Sequence, residues 1–160
     1  MIIKASQRSG GKQLGLHLLK TEENEHVELH EVSGFVSNSL MGAMNEAYAM
    51  ARVTKCEQYL FSVSLSPPQH ESVQIEAFEK AIKEIEERLG LKGQPRAIVF
   101  HEKEGRRHCH AVWSRIDAET MKAKELPFFK KKLQEISKQL FLENGWGIPK
   151  GFLDKGLRDP

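Results

Sequence analysis

Cysteine is scarce in this chain of 160 residues, with Cys56 and Cys109 the only two. A single pair cannot build the disulfide framework of a small secreted scaffold, and its spacing is not that of a thiolate metal site. Long apolar runs are missing as well: no stretch approaches the length that spans a bilayer, and the first residues lack the apolar core of a signal peptide. A reducing, cytoplasmic setting without a membrane partner is the expectation. Charge of one sign is also missing. Lys and Arg number 24 against 22 Asp and Glu, a formal net charge of +2, which is too small to argue for a polyanionic ligand by itself. Neither an internal repeat nor a low-complexity segment is visible.

What is present fits one globular domain. Hydrophobic residues make up 39% and charged residues 29%, ordinary values for a chain that buries a core. The basic residues gather in places: Lys103, Arg106 and Arg107, then Lys130, Lys131 and Lys132, then Lys150, Lys155 and Arg158. Each cluster taken alone could be a solvated face.

Periodicity predicts a mixture of helices and strands. Ile2 to Ala5 suggest a first strand, which Ser9-Gly10-Gly11 breaks, and Lys12 to Lys20 a short helix with Leu14 and Leu18 one turn apart. His26 to Glu31 alternate as a strand. Ser39 can cap a helix running to about Arg52, because its hydroxyl can accept from amides left unpaired in the first turn. Gln58 to Leu65 form a strand closed by Pro67-Pro68. From Val73 to Leu89 apolar residues recur at helical spacing, and Gly90 ends the run. Arg96 to His101 and His108 to Ile116 are β-rich and separated by a turn signal. A last helix runs from about Pro127 to Asn144, with Pro127 in its first turn. The sum is an α+β domain, an antiparallel sheet with helices packed on it.

The informative segment is His101-Glu102-Lys103-Glu104-Gly105-Arg106-Arg107-His108-Cys109-His110. Strand side chains alternate, so His108 and His110 share a face and Cys109 takes the other. A turn at Glu104-Gly105, or one made of the four residues from Lys103 to Arg106, sets His101 opposite His108, and opposed residues project to the same side. All three imidazoles then converge near the turn; a slip of one residue would break the cluster. Three nitrogen donors without a thiolate suit a divalent metal with positions left open for substrate, and zinc or nickel would be admitted on this ground alone. Glu104 is a candidate fourth ligand or acceptor for an imidazole N–H, or a solvated turn residue.

This His, six-residue gap and His-x-His pattern resembles the motif of relaxases, the mobilization nucleases that include the VirD2 type. Tyr59-Leu60-Phe61-Ser62-Val63-Ser64-Leu65-Ser66-Pro67 is similar to the family's central strand, which ends in a serine- and proline-rich turn before a long helix. Ser114-Arg115 departs from it, since many relatives place an asparagine after His-x-His. The resemblance spans Ile2 to about Trp146. It implies the two-layer fold of HUH-type nucleases, with helices on one face of the sheet and the metal on the other. Residues 1–150 would form the relaxase catalytic domain and 151–160 a tail from which a larger parent protein could continue.

Such enzymes nick one DNA strand at an origin of transfer, keep the 5′ phosphate as a covalent adduct and can rejoin the ends, with Mg²⁺ or Mn²⁺ as cofactor. Single-stranded DNA and accessory mobilization proteins are the implied partners. The family's usual nucleophile is a tyrosine near the N-terminus. This chain has none there, and the corresponding helix carries His17. Some mobilization relaxases use histidine, and neutral imidazole is nucleophilic near pH 7 where tyrosine needs activation. His17 is therefore the leading candidate, ahead of Tyr48 and Tyr59, which read as packing residues. His101, His108 and His110 would hold the metal, and Glu104 would assist. Arg106, Arg107 and Lys130 to Lys132 would track the DNA backbone. A water-activating hydrolase with the same triad, or a single-stranded DNA-binding or replication-initiation module, are the alternatives.

Overall fold

Alternation of apolar and polar residues along the longer strands sorts their side chains onto two faces of one sheet. That sheet is the frame of the computed structural model, which describes residues 1–20 and 26–147. The elements in chain order are β1 (Ile2–Arg8), α1 (Gly11–Leu18), β2 (His26–Ser33), α2 (Leu40–Arg52), β3 (Leu60–Ser66), α3 (Ile75–Leu89), β4 (Arg96–Lys103) and β5 (Arg106–Ser114). A small β6–β7 hairpin (Ile116–Asp117 and Lys122–Ala123) and α4 (Phe129–Glu143) follow. The five long strands pair in the order β1-β3-β5-β4-β2, every pairing antiparallel. The expected α+β class is the one observed. The tail with Lys150, Lys155 and Arg158 lies outside the described residues.

One face of the sheet carries Phe61, Val63 and Leu65 of β3, Ile98 and Phe100 of β4, and Ala111 and Trp113 of β5, packed under α3 and α4. Phe78, Ala81, Ile82, Ile85 and Leu89 recur on one stripe of α3, each large side chain stabilising the packed state by about 1.5–3 kcal/mol. The reverse face is different along its length. At one end Leu60, Ala97, Val99 and Val112 pack against Leu14 and Leu18 of α1 and Ala43, Met44 and Ala47 of α2. Helices on one face therefore describe α3 and α4 only. The α1–α2 pair covers part of the other face and leaves a recess beside it rather than an open sheet.

Local signals set several boundaries. The Ser39 hydroxyl accepts from Gly42 N at 3.0 Å and starts α2, while Gly90 closes α3 at φ 74°. Pro127 does not enter α4. Phe128 before the helix takes φ 57°, and this left-handed residue breaks the right-handed run until Phe129. Tucked under the sheet, the buried Glu86 accepts from Arg96 Nη1 at 2.6 Å and from Trp113 Nε1 at 3.0 Å. Arg96 also reaches Glu31 with Nε at 2.9 Å. Burial alone would lower the Arg96 pKa, but hydrogen bonds to Glu86 and Glu31 raise it above its ordinary value.

Candidate metal and nucleophile site

The hairpin between β4 and β5 turns on Glu104 (φ 55°) and Gly105 (φ 74°). Two successive left-handed residues make the tight loop whose twist matches the strands. That loop pairs Lys103 with Arg106, Glu102 with Arg107 and His101 with His108. The register needed for convergence is the register observed. His110 follows on the same face, its ring centroid 4.5 Å from that of His101. Glu104 sits in the turn itself and is exposed.

Each of the two paired imidazoles has one nitrogen engaged by the protein. His101 is buried, and its Nε2 lies 2.5 Å from the Leu18 carbonyl at the end of α1. A carbonyl only accepts, so Nε2 carries the proton and Nδ1 is the ring's unprotonated nitrogen. His108 Nδ1 stands 3.2 Å from the Ser66 hydroxyl, directly across in β3. Fixing one ring nitrogen through an outer partner is how proteins orient metal-binding histidines.

Electrostatics keep the three rings neutral. Burial pushes His110 down to about 4, with the charges of His101, His108 and His17 adding to the effect. Burial also lowers His101, against the opposing Leu18 hydrogen bond. His108 is lowered by burial and then by Arg106, His101 and Lys103. Neutral imidazole is the metal-binding form, so the donor set fits a divalent cation. As the side chains stand, no three His, Cys, Asp or Glu among the described residues already enclose one.

The structure adds residues that the pattern of basic clusters did not reveal. A recess of about 240 Å³ is lined by His17, His110, Lys4, Arg8, Ser62 and Ser64, among others. Across the sheet Lys4 pairs with Ser64, and Ser64 with His110. Alternation groups Lys4, Ser6 and Arg8 on one face of β1 and Ser62, Ser64 and Ser66 on one face of β3, without saying that the two strands adjoin the histidines. His17 is exposed on α1 while Leu14 and Leu18, on either side in the helical period, are buried. Its helix packs beside the triad, so His17 faces the same recess.

Other candidates lie elsewhere. Arg106 shares the triad's face and donates to the Pro67 carbonyl at 2.5 Å. Arg107 has the opposite parity, sits 5.9 Å over the Phe100 ring and pairs with Glu102 at 4.0 Å. Lys130, Lys131 and Lys132 belong to α4, which packs on the face away from the histidines. None of Arg106, Arg107 and the lysine run lines the recess. Tyr59 is buried, not on the face of Phe61 and Val63 but among α1 and α2, and its hydroxyl accepts from Gly11 N at 2.8 Å. Tyr48 is half exposed and borders a different cavity. His26 and His30 pair with Glu28 and Glu79, and His70 lies in the loop after β3.

A larger cavity of about 820 Å³ opens between α2 and the β6–β7 hairpin, at the far end of the sheet, and holds none of the histidines. The smaller recess is the one that His17 and His110 line, and the lowered basicity of His110 rather than size selects it. No helix among the described residues is long and apolar enough to cross a membrane. The family model described as Relaxase: MobA/VirD2-like, nuclease domain, matches residues 12–146. Among curated proteins, none matches the chain.

Proposed function

The chain belongs to the MobA/VirD2-like relaxase family, and from that membership we propose that it nicks one DNA strand at an origin of transfer with His17 as nucleophile. The observation carrying this reading is the recess that His17 shares with His110, Lys4 and Arg8. A phosphodiester seated there meets a nucleophile, two cations and His110 of the triad together.

An unprotonated His17 nitrogen attacks phosphorus in line with the 3′ oxygen. The P–N bond forms as the P–O3′ bond breaks, giving a phosphoramidate on the 5′ end and a 3′ hydroxyl once the oxygen takes up a proton. The imidazolium formed by attack loses its remaining N–H proton to solvent. Reversal, with a 3′ hydroxyl attacking the adduct, rejoins or transfers the strand. Lys4 and Arg8 neutralise phosphate charge from β1; Arg106, Arg107 and Lys130 to Lys132 do not line the recess, and of these only Arg106 shares the triad's face of the hairpin, from which it adds charge nearby. His101, His108 and His110 would hold Mg²⁺ or Mn²⁺, which when bound supplies Lewis-acid neutralisation of non-bridging phosphate oxygens. Ser66 and the Leu18 carbonyl orient His108 and His101. Glu104, in the exposed turn, is assigned no step. Accessory mobilization proteins would present the strand.

The test is adduct formation on a supercoiled plasmid carrying the chain's own origin region, with Mg²⁺ or Mn²⁺ supplied. An SDS-resistant, acid-labile protein–DNA species mapping to the α1 peptide is expected, and His17→Ala should abolish it. A normal adduct rate in His17→Ala refutes the nucleophile assignment. Cleavage with no adduct at all, and water oxygen in the product, would make the chain a hydrolase.

A further inference from the structure

Tyr48 is an aromatic residue on α2 that the fold leaves half exposed, at 52%. Arg52, one helical turn later, holds its guanidinium carbon 5.8 Å from the Tyr48 ring centroid. The buried Tyr59 ring backs Tyr48 at 6.0 Å and 53°. Together they border a cavity of about 450 Å³ whose lining includes Arg52, Lys55, Ser9 and Gly10. Glu57 is the one acidic side chain in that lining, against two cations. The volume lies within the range of sites for small ligands.

The cavity adjoins the nicking recess along the chain. Arg8 lines the recess, and the next two residues, Ser9 and Gly10, line this cavity. The close fit of α1 on α2 fixes the two together. A Cβ at Gly11 would stand 2.9 Å from the Tyr59 hydroxyl and 3.3 Å from Met44, so only glycine lets the helix begin this near.

We propose that this cavity is a nucleotide subsite for single-stranded DNA, in which Tyr48 stacks a base flanking the scissile phosphate and Arg52 and Lys55 hold its phosphates. An exposed ring flanked by cations, with an apolar back, is the combination that binds unpaired bases without reading their sequence. A base within a duplex has its faces occupied, so the subsite selects the unpaired strand. The inference rests on the reading that DNA occupies the adjoining recess. It also separates two roles for Tyr48: stacking needs the ring, whereas attack on phosphorus would need the hydroxyl.

The test uses the full chain and a fluorescein-labelled, mixed-sequence single-stranded oligonucleotide, followed by anisotropy over a salt series. Tyr48→Ala should weaken binding roughly five- to a hundredfold, and Tyr48→Phe should stay within about twofold. Arg52→Gln should lower the slope of log affinity against log salt by about 0.7. Equal affinity for Tyr48→Ala and the unaltered chain overturns the subsite and leaves the nicking reading intact. Failure of the unaltered chain to bind any single strand overturns both. If Tyr48→Phe falls as far as Tyr48→Ala, ring stacking is wrong. Photocrosslinking of the unaltered chain to a bromodeoxyuridine oligonucleotide gives a readout independent of variant folding. Crosslinks on the α2 peptide are expected, and crosslinks confined to α4 overturn the proposal.

Discussion

Replacing Glu86 by alanine should cost about 3–4 kcal/mol of folding stability, and the structure shows where the loss arises. The carboxylate is 7% exposed and serves two donors at once, Arg96 Nη1 at 2.6 Å and Trp113 Nε1 at 3.0 Å. Breaking a buried ion pair by removing one partner costs roughly 3–5 kcal/mol. Here the low end applies, because Arg96 is a quarter exposed and keeps Glu31 at 2.8 Å. Trp113 is fully buried, and an orphaned buried N–H costs about 1–3 kcal/mol. The two losses share one carboxylate and one relaxation, so they overlap rather than add. Glu86→Gln retains an acceptor oxygen and should cost only about 1–2 kcal/mol. Urea unfolding followed by tryptophan fluorescence and far-ultraviolet dichroism measures both. With a urea dependence of about 1–3 kcal/mol per molar, the alanine variant's midpoint should fall by roughly 1–3 M. A loss below about 1 kcal/mol for Glu86→Ala would refute the reasoning, as would a glutamine variant no better than alanine. Because Glu86 lies beneath the sheet face opposite the histidines, the natively folded fraction of either variant should nick DNA at the normal rate.

Four further outcomes follow from other contacts. Glu104→Asn places a residue that tolerates φ 55° in the hairpin turn and should raise stability by about 0.5–1 kcal/mol, measured by the same urea titration, with nicking unchanged. Gly11→Ala sets a Cβ 3.3 Å from the Met44 backbone carbonyl and should cost about 1–3 kcal/mol. It should also lower adduct formation by displacing the helix that carries His17. Ser66→Ala removes the hydroxyl 3.2 Å from His108 Nδ1 and should weaken metal affinity by about tenfold, read from a Mn²⁺ titration of nicking. In the native protein a thiol reagent should modify the part-exposed Cys56 and spare the buried Cys109, whose thiol is pushed up by burial; unfolding should expose both.

The hairpin was legible because its determinants are local. A two-residue turn and a period of two fix which side chains oppose, and His101, His108 and His110 needed nothing else. Ser39 as a cap and Gly90 as a stop were legible for the same reason. The contribution of β1 was not, since Lys4 and Arg8 reach the site only through the non-local order β1-β3-β5, which no spacing in the sequence encodes. Arg107, grouped with the triad by proximity in sequence, has the parity of Cys109 and lies over the Phe100 ring on the other face. Lys130 to Lys132 mark the other limit. Their exposure follows from helical period, but the side of the sheet on which α4 docks is decided by packing against α3 and β1. The second helix pair, lying against part of the histidine-bearing face, was equally a matter of tertiary packing.

One bond changes how variants of this site are to be interpreted. The carbonyl that receives the His101 proton belongs to Leu18, the residue next to His17, so ring and helix end are tied to one another. Deleting His101 would slacken the helix end that carries His17, the proposed nucleophile, and its defect would report two injuries at once. His108, tied instead to a serine on β3, offers the cleaner gauge of what the proposed cation alone would be worth. Paired deletions of His17 and His101 should accordingly be far less than multiplicative.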